Sequence, residues 1–248
     1  MIFRRFAGSL RRQDWTAVVV ELVVVVLGVF IGLQASNWNQ VRTDRSHETV
    51  YLAGLAKDVR SDIADIDEII RVSTLRMSAM GYLIEQATGV PLPFGFDSAR
   101  GRIEIEPSPP YAANDPNTIG VAMFILTTLD GNRLAYNTMI SNGDIGIMRD
   151  DALVREMQAY YSRVDKVRTF EAAMEISRVK LVDAQQQAGL SPVDAMSATQ
   201  IAKAFAHGPA LLAAAKNYWL YTNRHLKLMK DLRATAQRFV ADIDKEHP

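Results

Sequence analysis

The stretch Ala17–Leu33 reads AVVVELVVVVLGVFIGL, with Glu21 as its only charge. Trp15 and Trp38 stand on either side. At ~1.5 Å per helical residue, the distance between them is about 35 Å, enough to cross a hydrocarbon core and reach both interfaces. Tryptophans at both borders match the aromatic belt of membrane helices. Each central Val, Leu, Ile or Phe favours insertion by about 0.3–0.6 kcal/mol, and a mid-helix carboxylate opposes it by about 2.5–3.5 kcal/mol. The apolar residues outnumber Glu21 heavily, so their gain wins. The expectation is a transmembrane anchor over 15–38, preceded by a short basic segment, 1–14, and followed by a domain over 39–248.

The flanks bear on orientation. Arg4, Arg5, Arg11 and Arg12 precede the run with Asp14 as the only acid. After it, Arg42 and Arg45 are mixed with Asp44 and Glu48. Basic residues near membrane ends favour the cytoplasmic side, so the amino terminus is expected inside and the domain outside. A cleaved signal peptide is the rival. Its cleavage point would fall after Ala35, with Leu33 where a small residue is preferred, so an uncleaved anchor is expected. At about 100° per residue, Glu21, Gly28, Gly32, Ala35 and Asn39 share one stripe. The Gly28-x-x-x-Gly32 pair lets two helices approach closely, for self-association or a partner membrane protein. A snorkelling Glu21 and ordinary membrane-helix glycines explain the same residues equally well.

The stretch VVVVLGVFIGLQASNWNQ resembles the anchor of a family of uncharacterised single-pass bacterial membrane proteins. The residues that carry the likeness are Gly28, Gly32, Gln34, Asn37, Trp38 and Asn39. A weaker echo runs from Tyr136 to Tyr161, through Ser141-Asn142-Gly143-Asp144 and Arg149-Asp150-Asp151. The resemblance implies an anchored helical domain; with the arginine bias, the expected place is the bacterial inner membrane, with the domain periplasmic or extracellular. It implies no activity and no catalytic residue.

Beyond the anchor, apolar residues recur at three- and four-residue steps, so the fold class is all-α. Leu52, Leu55, Val59, Ile63, Ile66, Ile70, Met77, Met80 and Ile84 form the stripe of a helix over 40–88, closed by Gly89 and Pro91. No strong breaker separates it from the anchor. A second long helix is predicted over 150–188, capped by Asp150 and ended by Gly189. A third covers 209–246, with Pro209 in its first turn. Shorter helices are predicted over 118–129, 133–141 and 198–206, and Ser197 with Gln200 has capping-box spacing for the last. These stripes need partners, which gives an antiparallel bundle of three or four long helices. Prolines concentrate in an irregular insertion, 89–117. There Phe94, Phe96, Ile103 and Ile105 alternate as in a small hairpin, read here as an excursion capping one bundle end.

Chemistry-bearing constellations are sparse. The chain has 28 Lys plus Arg, 28 Asp plus Glu and no cysteine. Removing Arg4, Arg5, Arg11 and Arg12 from the basic total, and Asp14 and Glu21 from the acidic total, leaves a slightly acidic domain. Nucleic acid is therefore not expected as a partner. Asp58, Asp62 and Asp65, with Asp67 and Glu68, are read as a solvated face rather than a cation strip. His225, near Trp219 and Tyr221, is read as an ordinary helix histidine rather than a ligand. No metal-binding His-Glu-x-x-His, phosphate loop or Gly-x-Ser-x-Gly elbow occurs, and no cofactor is called for. A Ser/His/carboxylate site assembled in space remains open. The expectation is a membrane-anchored protein without enzymatic activity, acting through protein contacts in sensing, scaffolding or assembly. A receptor or enzyme with a pocket between the helices and 89–117, and an accessory subunit of a membrane complex, are the alternatives.

Overall fold

A computed structural model describes residues 15–92, 105–112, 119–191 and 196–246. Among these residues every regular element is helical. The chain divides into two compact units, Met1–Tyr51 and Leu52–Pro248. One helix, α1 (Trp15–Thr88), contributes to both.

Within the first unit every described side chain from Val19 to Thr43 is exposed. Side chains from Val19 to Leu33 are between 48% and 65% exposed wherever they are large and apolar. Its most apolar 18-residue window has a mean hydropathy of 2.3, and none of it is buried. α1 is thus long and apolar enough to cross a membrane.

From Leu52 the same helix becomes amphipathic. Leu52, Leu55, Val59, Ile66, Met77, Met80 and Ile84 are buried, as their spacing predicts. α1 stops where sequence punctuation changes the backbone: Gly89 takes a left-handed φ of 74°. Its N–H still bonds to Glu85 O at 2.8 Å, closing the last turn.

The second unit contains two further long helices, α4 (Asp151–Gln187) and α6 (Pro209–Glu246). Ion pairs and hydrogen bonds fix their directions. Arg60 meets Asp244 at 2.6 Å and Arg233 meets Asp67 at 2.5 Å, while Ser73 lies beside His225. As one number rises the other falls, so α1 and α6 are antiparallel. Tyr160 stacks near Phe239 at 6.1 Å and Glu171 meets His225 at 2.9 Å, so α4 and α6 are antiparallel too. α1 and α4 therefore run parallel, and the bundle is antiparallel only through α6.

That topology gives the irregular connection its task. Two parallel helices cannot be joined by a short turn, so the chain after α1 must travel back along the bundle. Glu106 lies at the level of Asn223, Ile125 at Arg76, Asn132 at Asp62 and Ala135 at Asp58. The connection is thus a strap on the bundle that lies beside Met77 and Tyr82 at Ser108 and Tyr111 and travels back along α1 between Ile125 and Ala135. Residues 105–112 are irregular, and the stretch predicted as a helix over 118–129 narrows to α2 (Ile119–Ala122). Phe94, Phe96 and Ile103 of the expected hairpin lie outside the described residues. The strap ends in α3 (Leu134–Asn142) and a 3-10 turn, Asp144–Ile147, and Gly143 between them has φ 76°.

The remaining helix is α5 (Ala198–His207), which carries the expected capping box of Ser197 and Gln200. It buries Ile201, Ala202 and Phe205 against the core formed by Met77, Leu83, Ile119, Met174, Leu181, Leu211 and Tyr218.

Candidate functional site

The polar centre of the domain lies where α1, α4 and α6 meet. Ser73, Arg76 and His225 have no exposed surface, and Glu171 is 4% exposed. Arg76 Nη2 lies 3.0 Å from Ser73 Oγ, and Ser73 Oγ lies 3.4 Å from His225 Nδ1. His225 Nε2 lies 2.9 Å from Glu171 Oε1. A guanidinium only donates, so Arg76 donates to Ser73 Oγ. Ser73 Oγ and Glu171 Oε1 meet the two ring nitrogens of His225, whose donor and acceptor roles follow its tautomer. Arg76 and Glu171 are thereby linked through Ser73 and His225.

Both ends of the chain also hold the return strap. Arg76 Nη1 donates to Ile125 O, and Leu129 N donates to the Glu171 carboxylate at 3.1 Å. Arg76 also lies over the Tyr218 ring, 5.6 Å from its centroid. Burial pulls the Arg76 guanidinium below its ordinary value, and nearby Tyr218 opposes that shift.

Serine, histidine and glutamate are the residue types of a nucleophilic triad, but here the nucleophile has no surface on which to meet a substrate. Arg76 also donates onto the oxygen that would attack. The cluster is built to hold elements together. His225, read from sequence as an ordinary helix histidine, is its fully buried middle member.

The acidic run after Lys57 departs from the expected solvated face. Asp65, Asp67 and Glu68 are exposed, but Asp62 is fully buried. It accepts from Asn132 N at 2.7 Å, Asn132 Nδ2 at 3.1 Å and the Tyr160 hydroxyl at 2.6 Å. Burial raises its carboxyl above the usual range, despite the lowering effect of those donors. Half-buried Asp58 accepts from Ala135 N at 2.9 Å. The position before α3 is Arg133, which supplies no capping side chain. Asp58 therefore satisfies a first-turn N–H of α3 from another helix, which explains why these two acids face inward.

Farther along the bundle, Asn223 grips the strap through the Glu106 backbone, donating to its O at 2.6 Å and accepting from its N at 3.2 Å. Trp219 Nε1 donates to Ser108 Oγ at 2.7 Å. Gly81 makes this approach possible: a Cβ there would lie 2.1 Å from Ser108 Oγ and 2.5 Å from its Cβ. Beside the contact is a hollow of about 390 Å³ lined by Tyr82, Glu85, Leu92, Ser108, Pro110 and Tyr111, among others. The far side of Tyr82 borders a second hollow of about 330 Å³, with Gln86, Lys203 and His207. None of the Ser73–His225 cluster lines either one.

The residues singled out on the anchor stay apart from this centre. Glu21, Gly28, Gly32, Ala35 and Asn39 are exposed on α1, and nothing lies within 4 Å of a Cβ placed on either glycine. Trp38 is 69% exposed, and the Trp15 side chain lies outside the described residues.

The arrangement defines an all-α protein with one helix apolar enough to cross a membrane and a separately cored helical unit. Residues 21–91 match the model of a family of unknown function (DUF6090). The match runs from Glu21 of the apolar stretch to Pro91, just past the end of α1, and agrees with an uncharacterised family. No curated protein and no solved structure matches the chain.

Proposed function

We infer that the chain is a single-pass membrane protein. In this reading the helix over 15–38 anchors an extracytoplasmic domain that works through protein contacts, in sensing, scaffolding or assembly. The supporting observation is the uninterrupted exposure of Val19–Leu33. In water, such a run of exposed aliphatic side chains is a large unfavourable patch; in a bilayer it is matched to its solvent. The amino-terminal arginines favour a cytoplasmic start and an exterior domain. The association face of Glu21, Gly28, Gly32, Ala35 and Asn39 supplies a route to a second copy or another membrane protein.

Membrane fractions washed with alkaline carbonate should retain the full chain. Its release into the supernatant would sink the anchor. A reporter fused after Pro248 should be active only outside the cytoplasm, and a cytoplasmic signal would reverse the orientation. Crosslinking in intact membranes, followed by mass spectrometry, should recover a protein partner. Recovery of uncrosslinked chain alone would count against the contact role. The hollow beside Tyr82 favours the alternative of a ligand-binding receptor. A small molecule that raises the domain's melting temperature in the wild type but not in Tyr82→Ala would support that alternative.

A further inference from the structure

We propose that Trp38, Arg42 and Arg45 form a groove that holds the phosphate of an anionic phospholipid, in the leaflet at the carboxy-terminal border of the span. The proposal rests on the reading of 15–38 as a membrane helix. A hollow of about 260 Å³ is lined by Trp38, Val41, Arg42 and Arg45. Their spacing of three, four and seven residues from Trp38 puts all four on one face of α1. Trp38 is 69% exposed and Val41 41% exposed, and both arginines are exposed. Neither guanidinium has an ion-pair or hydrogen-bond partner among the described residues.

Depth and charge select the occupant. With a ~30 Å core centred on the 15–38 span, Trp38 lies about 2 Å beyond the core, Arg42 about 8 Å and Arg45 about 13 Å. Each headgroup layer is about 5–8 Å thick, so Trp38 falls within it, Arg42 stands at its outer edge and the long Arg45 side chain reaches back toward it. An indole settles at headgroup depth, and a guanidinium matches two phosphate oxygens with two N–H donors. Of the carboxylates near the two arginines, Asp44 sits about 120° round the helix from Trp38, and Glu48, three residues past Arg45, is buried with its own interaction. The face therefore carries two positive charges, more than the net-neutral headgroup of a zwitterionic lipid offsets. An anionic headgroup supplies the balance.

The test uses the full chain in phosphatidylcholine vesicles doped with spin-labelled phosphatidylglycerol or spin-labelled phosphatidylcholine. The motionally restricted fraction gives the relative association of the two lipids. Wild type should prefer phosphatidylglycerol by about fivefold for each arginine engaged. The preference should vanish in Arg42→Gln/Arg45→Gln and persist, weakened, in Arg42→Lys/Arg45→Lys. Equal association of both lipids with wild type, or an unchanged preference in the glutamine variant, overturns the proposal. Loss of the preference on adding millimolar inorganic phosphate assigns the groove to a soluble anion and also overturns it. The same vesicles are washed with alkaline carbonate first. Release of wild type there defeats the membrane reading itself, whereas retained protein without a lipid preference defeats only the groove.

Discussion

Arg76 and Glu171 are buried polar side chains held in one hydrogen-bonded chain with Ser73 and His225. Removing one leaves polar atoms of its partners unsatisfied in the core. Glu171→Gln keeps the shape and an acceptor for Leu129 but discards the charge. It should destabilise the domain by about 3–5 kcal/mol in urea unfolding. Adding Arg76→Met should recover more than half of that loss; additive losses would show that the Ser73–His225 link does not couple the two. Asp62 gives a pH signature of opposite sense to the usual salt-bridged carboxylate. Its folded-state pKa is raised above 3.8, so the native state holds the proton more tightly than the unfolded chain. Its contribution to stability therefore grows as pH falls through the raised pKa and declines as pH rises. Relative to Asp62→Asn, wild type should gain stability as pH falls from neutrality toward the ordinary carboxylate value of 3.8. A relative loss over that range would contradict the buried, raised carboxyl.

Among the elements, the strap depends on close approach at Gly81. Gly81→Ala should push Ser108 off α1 and destabilise the domain by about 1–3 kcal/mol. It should also speed amide hydrogen exchange at the strap backbone near 105–112. Ser108→Gly in the same chain should relieve the clash, because both close atoms belong to the Ser108 side chain. Persistence of the full defect would mean that the strap is not held at this point. Helix ends were legible because their signals are local. Gly143 and Gly189 adopt left-handed φ, Asp150 accepts from Ala152 N, and Ser197 with Gln200 closes its box. The direction of α4 was not legible, because a three-four stripe states which face is buried but not which way its partner runs. Asp62 was misread for a related reason: at the stripe edge, its surroundings are decided by Tyr160, far along the chain. The hydrogen-bonded cluster was hidden in the same way, since Ser73, Glu171 and His225 share no local spacing.

For the whole molecule, the change of character within α1 separates an exposed apolar segment from a unit with its own core. A chain beginning at Leu52 should be helical by circular dichroism and monodisperse without detergent. Aggregation at micromolar concentration would show that the core needs the anchor. The pairing of α1 with α6 has a further consequence, in time rather than space. Arg60 meets Asp244, so the first helical face of the domain to be synthesised is closed by the last. Until then Leu52, Leu55 and Val59 have only part of their cover, and closure joins segments separated by most of the chain. Folding should therefore be late and abrupt, completed only after synthesis reaches α6. A chain stalled before that helix would present an open apolar groove to chaperones and proteases.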